Sequence, residues 1–163
     1  MKTYIISILV ADEPGVLLKL CGLFVRRGFN INTIAVGSTE KKGLSRIMIT
    51  LDSDEKKITQ LKKQLTKVID VVGVSDLTEN TIVEELCLIK LGINGEKERD
   101  EIINNVNLFK AKIIDINKTN IIIQITDRPN KIKNFIDVLS DYEIVKITRT
   151  GTVAIKDIGT NNN

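Results

Sequence analysis

Val10-Ala11-Asp12-Glu13-Pro14-Gly15-Val16-Leu17 joins a strand pattern to a helix pattern, and the reading of this junction decides the fold. Upstream, Tyr4, Ile6, Ile8 and Val10 alternate with Ile5, Ser7 and Leu9, the period of two that marks a strand over Thr3 to Val10. Downstream, Leu17, Leu20, Cys21 and Phe24 recur at helical spacing. Pro14 has no amide proton and suits a first helical turn, and Gly15 lets the main chain come close to a ligand. The amides of Gly15, Val16 and Leu17 then face the turn together with the positive end of the helix dipole, which favours a carboxylate or phosphate. Water or a capping side chain fills most such helix ends, so the turn by itself is a candidate and no more.

Outward from the junction, the first helix should close at Arg26-Arg27-Gly28, where basic residues sit in the last turn and glycine just past it. Phe29 to Val36 reads as a second strand, Gly37 to Gly43 as a polar turn, and Ser45 to Leu51 as a third strand with Ile47, Ile49 and Leu51 on one face. Asp52-Ser53-Asp54-Glu55 supplies helix-capping chemistry for a helix whose apolar stripe is Ile58, Leu61, Leu65 and Val68. Val71 to Val74, ending near Leu77, completes the order β-α-β-β-α-β, the split ferredoxin-like arrangement.

The second half repeats the order. Leu86 to Ile93 reads as strand, Glu96 to Val106 as helix, and Ala111 to Ile116 and Ile121 to Thr126 as strands about the turn Asn117 to Asn120. Asp127-Arg128-Pro129 opens another helix carrying Ile132, Phe135, Ile136 and Leu139, and Ile144 to Thr148 closes the pattern. The fold class is therefore α+β, two tandem ferredoxin-like units with antiparallel sheets and helices on one face. The expected boundaries are residues 1–78, residues 79–158, and an Asn-rich disordered tail at residues 159–163. Strands such as Ile5 to Val10 and Ile121-Ile122-Ile123 are apolar on both faces, so the second face of each sheet should be covered by the other unit or by a second subunit.

Composition narrows the chemistry. The 163 residues are 42% hydrophobic, enough for real cores, and no run approaches the roughly 20 apolar residues of a membrane span. The start Met1-Lys2-Thr3 enters strand pattern directly, which leads to the expectation of a cytoplasmic protein, or a stromal one in a plastid-bearing source. The net charge is +3 and the lysines are interleaved with acids, as in Asp54-Glu55-Lys56-Lys57, which reads as solvated helix faces and not as a nucleic-acid stripe. There is no histidine, hence no usual general base, no Ser-His or Cys-His pair and no commonest metal ligand. Cys21 and Cys87 have neither the number nor the spacing of a disulfide framework or a zinc site and read as buried free thiols. No catalytic and no metal-binding residues are expected.

Several segments are similar to the small regulatory subunit of acetolactate synthase, also called acetohydroxyacid synthase, an ACT-domain family. They are Asp12-Glu13-Pro14-Gly15-Val16-Leu17, the block from Gly22-Leu23-Phe24 to Asn30-Ile31, Leu44-Ser45-Arg46-Ile47-Met48-Ile49 and Gln64 to Val72. In the second half they are Glu84 to Lys90 and Ile113-Ile114-Asp115-Ile116. The resemblance runs from about Thr3 to Gly151. It implies an N-terminal ACT domain that senses an end-product amino acid, usually valine, and a ferredoxin-like C-terminal domain. It also implies a homodimer that pairs through its ACT domains, and a catalytic subunit as partner. That partner would condense two pyruvates, or pyruvate with 2-oxobutanoate, in branched-chain amino acid biosynthesis. Thiamine diphosphate and magnesium, with FAD as a further candidate, would belong to that subunit and none to this chain. The effector would lie between two protomers, with Asp12, Gly15, Val16 and Leu17 on one wall and Asn30 and Ile31 on the other.

The residue types suit that assignment. Asn30 offers both a donor and an acceptor, and Val16, Leu17 and Ile31 suit a branched aliphatic side chain. Asp12 stands where many family members carry asparagine; ionised, it accepts from an α-ammonium but cannot donate to a carboxylate. Asp12 as a helix N-cap and Asn30 as a turn residue after Gly28 are the alternative readings. Among other functions on this element order, an acylphosphatase-type enzyme needs an arginine in the first loop, and Ala11 to Gly15 has none. An RNA-binding sheet needs stacking aromatics, which are only 4% of this chain. A free-standing ACT-domain sensor acting on another enzyme or on transcription is the alternative that the first half alone leaves open.

Overall fold

The computed structural model describes residues 1–159; all but the first residue of the expected tail at 159–163 lies outside them. The first βαββαβ unit consists of β1 (Lys2–Ala11), α1 (Val16–Arg26), β2 (Ile31–Ser38), β3 (Leu44–Ser53), α2 (Glu55–Leu65) and β4 (Val71–Asp76). The second consists of β5 (Thr81–Gly92), α3 (Glu96–Leu108), β6 (Lys112–Ile116), β7 (Asn120–Asp127), α4 (Pro129–Leu139) and β8 (Ile144–Arg149), and a last strand, β9 (Val153–Lys156), pairs with β5. The sheet orders are β2-β3-β1-β4 and β6-β7-β5-β8, the same permutation twice. The repeat is thus one of topology as well as of element order, and the pairings between neighbouring strands are antiparallel.

In the first unit the even residues of β1 and the odd residues of β3 meet both helices. Ile6, Ile8, Ile47, Ile49 and Leu51 are buried with Leu20 and Phe24 of α1 and Ile58, Leu61 and Leu65 of α2. Asp54 caps α2 by accepting from the Lys57 amide at 2.9 Å, as its position before Glu55 foretells. In the second unit Cys87, Ile89, Leu91, Ile121, Ile123 and Ile125 pack against Ile102, Val106, Ile132, Phe135 and Leu139, with the Phe109 and Phe135 rings 4.8 Å apart. Cys21 is half-buried and Cys87 buried, and both are free.

Three local expectations need correction. Pro14 is not in the first turn of α1: Gly15 is the N-cap, at φ +87°, and helical geometry begins only at Val16. Phe29 belongs to the helix exit and not to the second strand, because its amide donates to Phe24 O at 3.0 Å behind Gly28 at φ +68°. Strand β9 was not foreseen at all. Residues 152–159 group with Met1–Ile82, and the other compact unit is Val83–Gly151. Hydrogen bonds hold them there: Lys156 Nζ donates to Glu79 O (2.7 Å), the Asp157 amide to Asn80 O (3.1 Å) and the Thr152 amide to Thr33 Oγ1 (3.5 Å). Ser7, Met48 and Thr50, on the helix-free face of the first sheet, are buried.

Candidate functional site

The β1–α1 turn is pinned at its base from two directions. The Ala11 amide donates to Asp70 O and the Asp12 amide to Gly43 O, both at 2.9 Å, which ties the turn to the loop before β4 and to the β2–β3 turn. The chain then reverses at Gly15, whose φ of +87° suits a residue without Cβ. No side chain among the described residues caps α1; the Val16 amide reaches back to Glu13 O at a long 3.4 Å. Asp12 is therefore not the N-cap. Its carboxylate is exposed and has neither hydrogen bond nor ion pair among the described residues. Beside it, Lys19 Nζ of α1 pairs with Asp70 at 2.7 Å, so the neighbouring acid is neutralised while Asp12 is not. Val16 is buried at the foot of the turn, and Gly15 and Leu17 face solvent. The result is a helix N-terminus with amides to offer a carboxylate, an acid to accept from an ammonium, and an apolar floor.

The second set of predicted residues lies elsewhere. Asn30 is exposed between the exit of α1 and β2, and Ile31 is half-buried opposite Leu51. Next to them Asp52 accepts from Thr3 Oγ1 (2.5 Å) and Asn32 Nδ2 (2.9 Å), which hold its carboxyl below the usual carboxylate range. Strand register fixes the separation of the two sets. Ile31 is level with Leu51, which is level with Tyr4; Ser38 is level with Ser45, which is level with Val10. The turn therefore leaves one end of the sheet and Asn30 enters at the other, about 23 Å away for the seven residue steps from Tyr4 to Ala11. The structure brings Asp12, Gly15, Val16 and Leu17 together and places Asn30 beside Ile31. It does not bring the two sets together within one chain.

Two features near these residues escape sequence reading. The Lys19–Asp70 pair spans 51 positions and carries no local signal. On β2, an edge strand, Ile34 and Val36 lie opposite the core residues Ile49 and Ile47 yet stay exposed, as do Leu18 and Val25 of α1. Their apolar character is plain in sequence, but it is that of a core face, and only the sheet order shows them uncovered. Among the described residues, no three His, Cys, Asp or Glu side chains group as a metal site. Binding is what this arrangement offers: it has amides, the carboxylate of Asp12 and apolar walls, and no nucleophile with a base beside it.

Comparison with known proteins agrees with this architecture. Residues 6–73 match the family model described as the AHAS small subunit-like ACT domain, and residues 84–158 match the model for the small subunit of acetolactate synthase. A probable acetolactate synthase small subunit from Archaeoglobus fulgidus is 43% identical over 150 residues, 92% of this chain and 94% of that one. The acetolactate synthase small subunit of Bacillus subtilis is 41% identical over 152 residues, 92% of this chain and 88% of that one. The crystal structure of the acetolactate synthase small subunit from Thermotoga maritima superposes with a TM-score of 0.90 at 39% identity, covering 98% of this chain and 100% of that one. The turn, the two tandem βαββαβ units and these matches together show that the chain belongs to the acetolactate synthase small-subunit family.

Proposed function

We propose that this chain is a non-catalytic regulatory subunit that raises the activity of an acetolactate synthase catalytic subunit and confers feedback inhibition by valine. The family supports the role of subunit. The opposed placement of the β1–α1 turn and of Asn30 with Ile31 carries the rest: two sets of ligand-compatible groups at opposite ends of one sheet form a single site when two copies lie antiparallel. In such a homodimer the α-carboxylate faces the amides after Gly15, the ammonium faces Asp12, and Asn30 and Ile31 of the partner close the far wall. The exposed edge of β2 and the apolar residues Leu18, Val25, Ile34 and Val36 support pairing of the ACT domains.

In this reading thiamine diphosphate, magnesium and FAD act in the catalytic subunit, in the cytoplasm or the plastid stroma. Valine acts by favouring one arrangement of the regulatory dimer, and a coupling of about 1.4 kcal/mol already changes an equilibrium tenfold. The test has two parts. Calorimetric titration with valine, leucine and isoleucine should give saturable binding, and the chain should raise the rate of a reconstituted catalytic subunit and lower it again when valine is added. Absence of both effects overturns the proposal.

A further inference from the structure

The helix-free face of the first sheet holds a cavity of about 340 Å³, within the size range of small-ligand sites. Ala35 opposite Met48 and Gly37 opposite Arg46 form its strand walls, Ser38 at the end of β2 and Glu40 of the following turn contribute polar groups, and Val153 of β9 closes one side. It shares no residue with the β1–α1 turn or with Asn30 and Ile31.

Its chemistry is specific. Arg46 is half-buried and is held by one neutral contact, Nη1 donating to Ser7 Oγ at 3.1 Å, and Ser7 is itself only 1% exposed. No carboxylate among the described residues pairs with this guanidinium. An arginine has five N–H donors in a planar fork, so most of its capacity stays directed at the cavity and matches a carboxylate. Glu40 lines the same cavity, is not paired with Arg46, and offers an acceptor to an ammonium. Ala35, Met48 and Val153 supply an apolar wall. An acid and a base that face one cavity without satisfying each other, with aliphatic surface beside them, are complementary to a zwitterion with an aliphatic side chain.

We propose that the Arg46–Glu40 cavity is a second amino-acid site of this chain, taking an aliphatic α-amino acid with its carboxylate on Arg46 and its ammonium on Glu40. A 2-oxo acid of the same carbon skeleton satisfies Arg46 and leaves Glu40 without a partner, so it binds more weakly. Because Val153 is part of the wall, occupancy bears on the seating of β9.

The sequence supplies its own probe, since the chain has two methionines, Met1 at the terminus and Met48 in the cavity wall. The full chain labelled at the methionine methyl carbons is titrated with leucine, isoleucine and valine while both signals are followed by NMR. The expected result is a saturable shift of the Met48 signal with Met1 unmoved. It should persist in Asn30→Ala and weaken roughly tenfold or more in Arg46→Gln. Arg46→Lys, which keeps the charge, should retain part of the affinity, and 4-methyl-2-oxopentanoate should bind less well than leucine. No saturable Met48 shift at millimolar amino acid, unchanged affinity in both Arg46→Gln and Glu40→Gln, or loss of the shift in Asn30→Ala would each overturn the proposal. The last of these places the effect at the other site.

Discussion

Arg149 of β8 grips the Glu85 carboxylate of β5 with both arms of its fork, Nε lying 2.5 Å from Oε1 and Nη2 3.1 Å from Oε2. Glu85 is 1% exposed, so this pair is the means by which the second unit keeps a buried carboxylate. Breaking such a pair from one side is costlier than replacing it, because the remaining charge has no partner. Arg149 is itself open to solvent, so Arg149→Met should destabilise the second unit by about 1.5 to 3 kcal/mol, the range for a hydrogen bond to a charged group. The double variant Arg149→Met with Glu85→Leu should recover most of that loss. Urea denaturation of the four chains of this cycle measures both, and a single variant as stable as the parent would show that water, not Arg149, solvates Glu85.

Acid should weaken both units for the same electrostatic reason. Burial tends to raise the Asp76 carboxyl, but Thr78, through its hydroxyl and amide, and Lys62, at 2.9 Å, outweigh it and hold it below its usual value. Asp127 is lowered chiefly by Lys131 at 2.6 Å, against a smaller effect of burial and with help from the Arg128 amide. A carboxyl depressed in the folded state binds protons more readily when unfolded. Its contribution is therefore complete above the unfolded value, about 3.9, and is lost as pH falls through the lower folded value. Stability attributable to these pairs should be level from neutrality down to about pH 4 and then decline. Asp76→Asn and Asp127→Asn should each make the decline shallower in denaturation curves taken across that range, and an unchanged acid limb in both would contradict it.

Gly15→Ala isolates backbone strain from crowding. No atom lies within 4 Å of the position that a Cβ would take, so the change meets open space, yet φ is +87°. The left-handed conformation costs an ordinary residue about 1 to 2 kcal/mol, and thermal or urea denaturation of Gly15→Ala should report a loss of that size. Gly15→Asn should lose less, since asparagine tolerates this region better. Equal loss in the two variants would point to the amide environment of the turn and not to φ.

Much of the fold was legible because local signals agreed with the final packing. Asp54 before Glu55, Pro129 behind Asp127 and Gly28 behind Arg26-Arg27 mark helix ends by chemistry that acts within a turn. What sequence missed depends on distant partners. Val153-Ala154-Ile155-Lys156 is four residues long, and it becomes a strand only because β5, which starts at Thr81 and not at Leu86, is there to pair with it. Likewise Asp12 and Asn30 could be picked out by type and by resemblance. That they stand at opposite ends of one sheet follows only from register, which is set by Leu51 facing both Tyr4 and Ile31.

That register makes a prediction about subunits which no single-chain site can satisfy. Asp12→Ala should weaken amino-acid binding by about 1.5 to 3 kcal/mol, the range for a hydrogen bond to a charged group, and Asn30→Ala should weaken it as well. In a homodimer of either variant both sites carry the defect. A mixed dimer is different: one of its sites joins the altered turn of the first variant to the altered Asn30 of the second, and the other joins two unaltered halves. Unfolding and refolding the two variants together should therefore restore valine binding of parental affinity at one site in a fraction of the dimers, up to half of them if pairing is random, read as recovered calorimetric stoichiometry. If the turn and Asn30 of one chain acted separately, mixing would restore nothing. Recovery in the mixture, with none in either variant alone, requires that the two walls come from different copies of the chain.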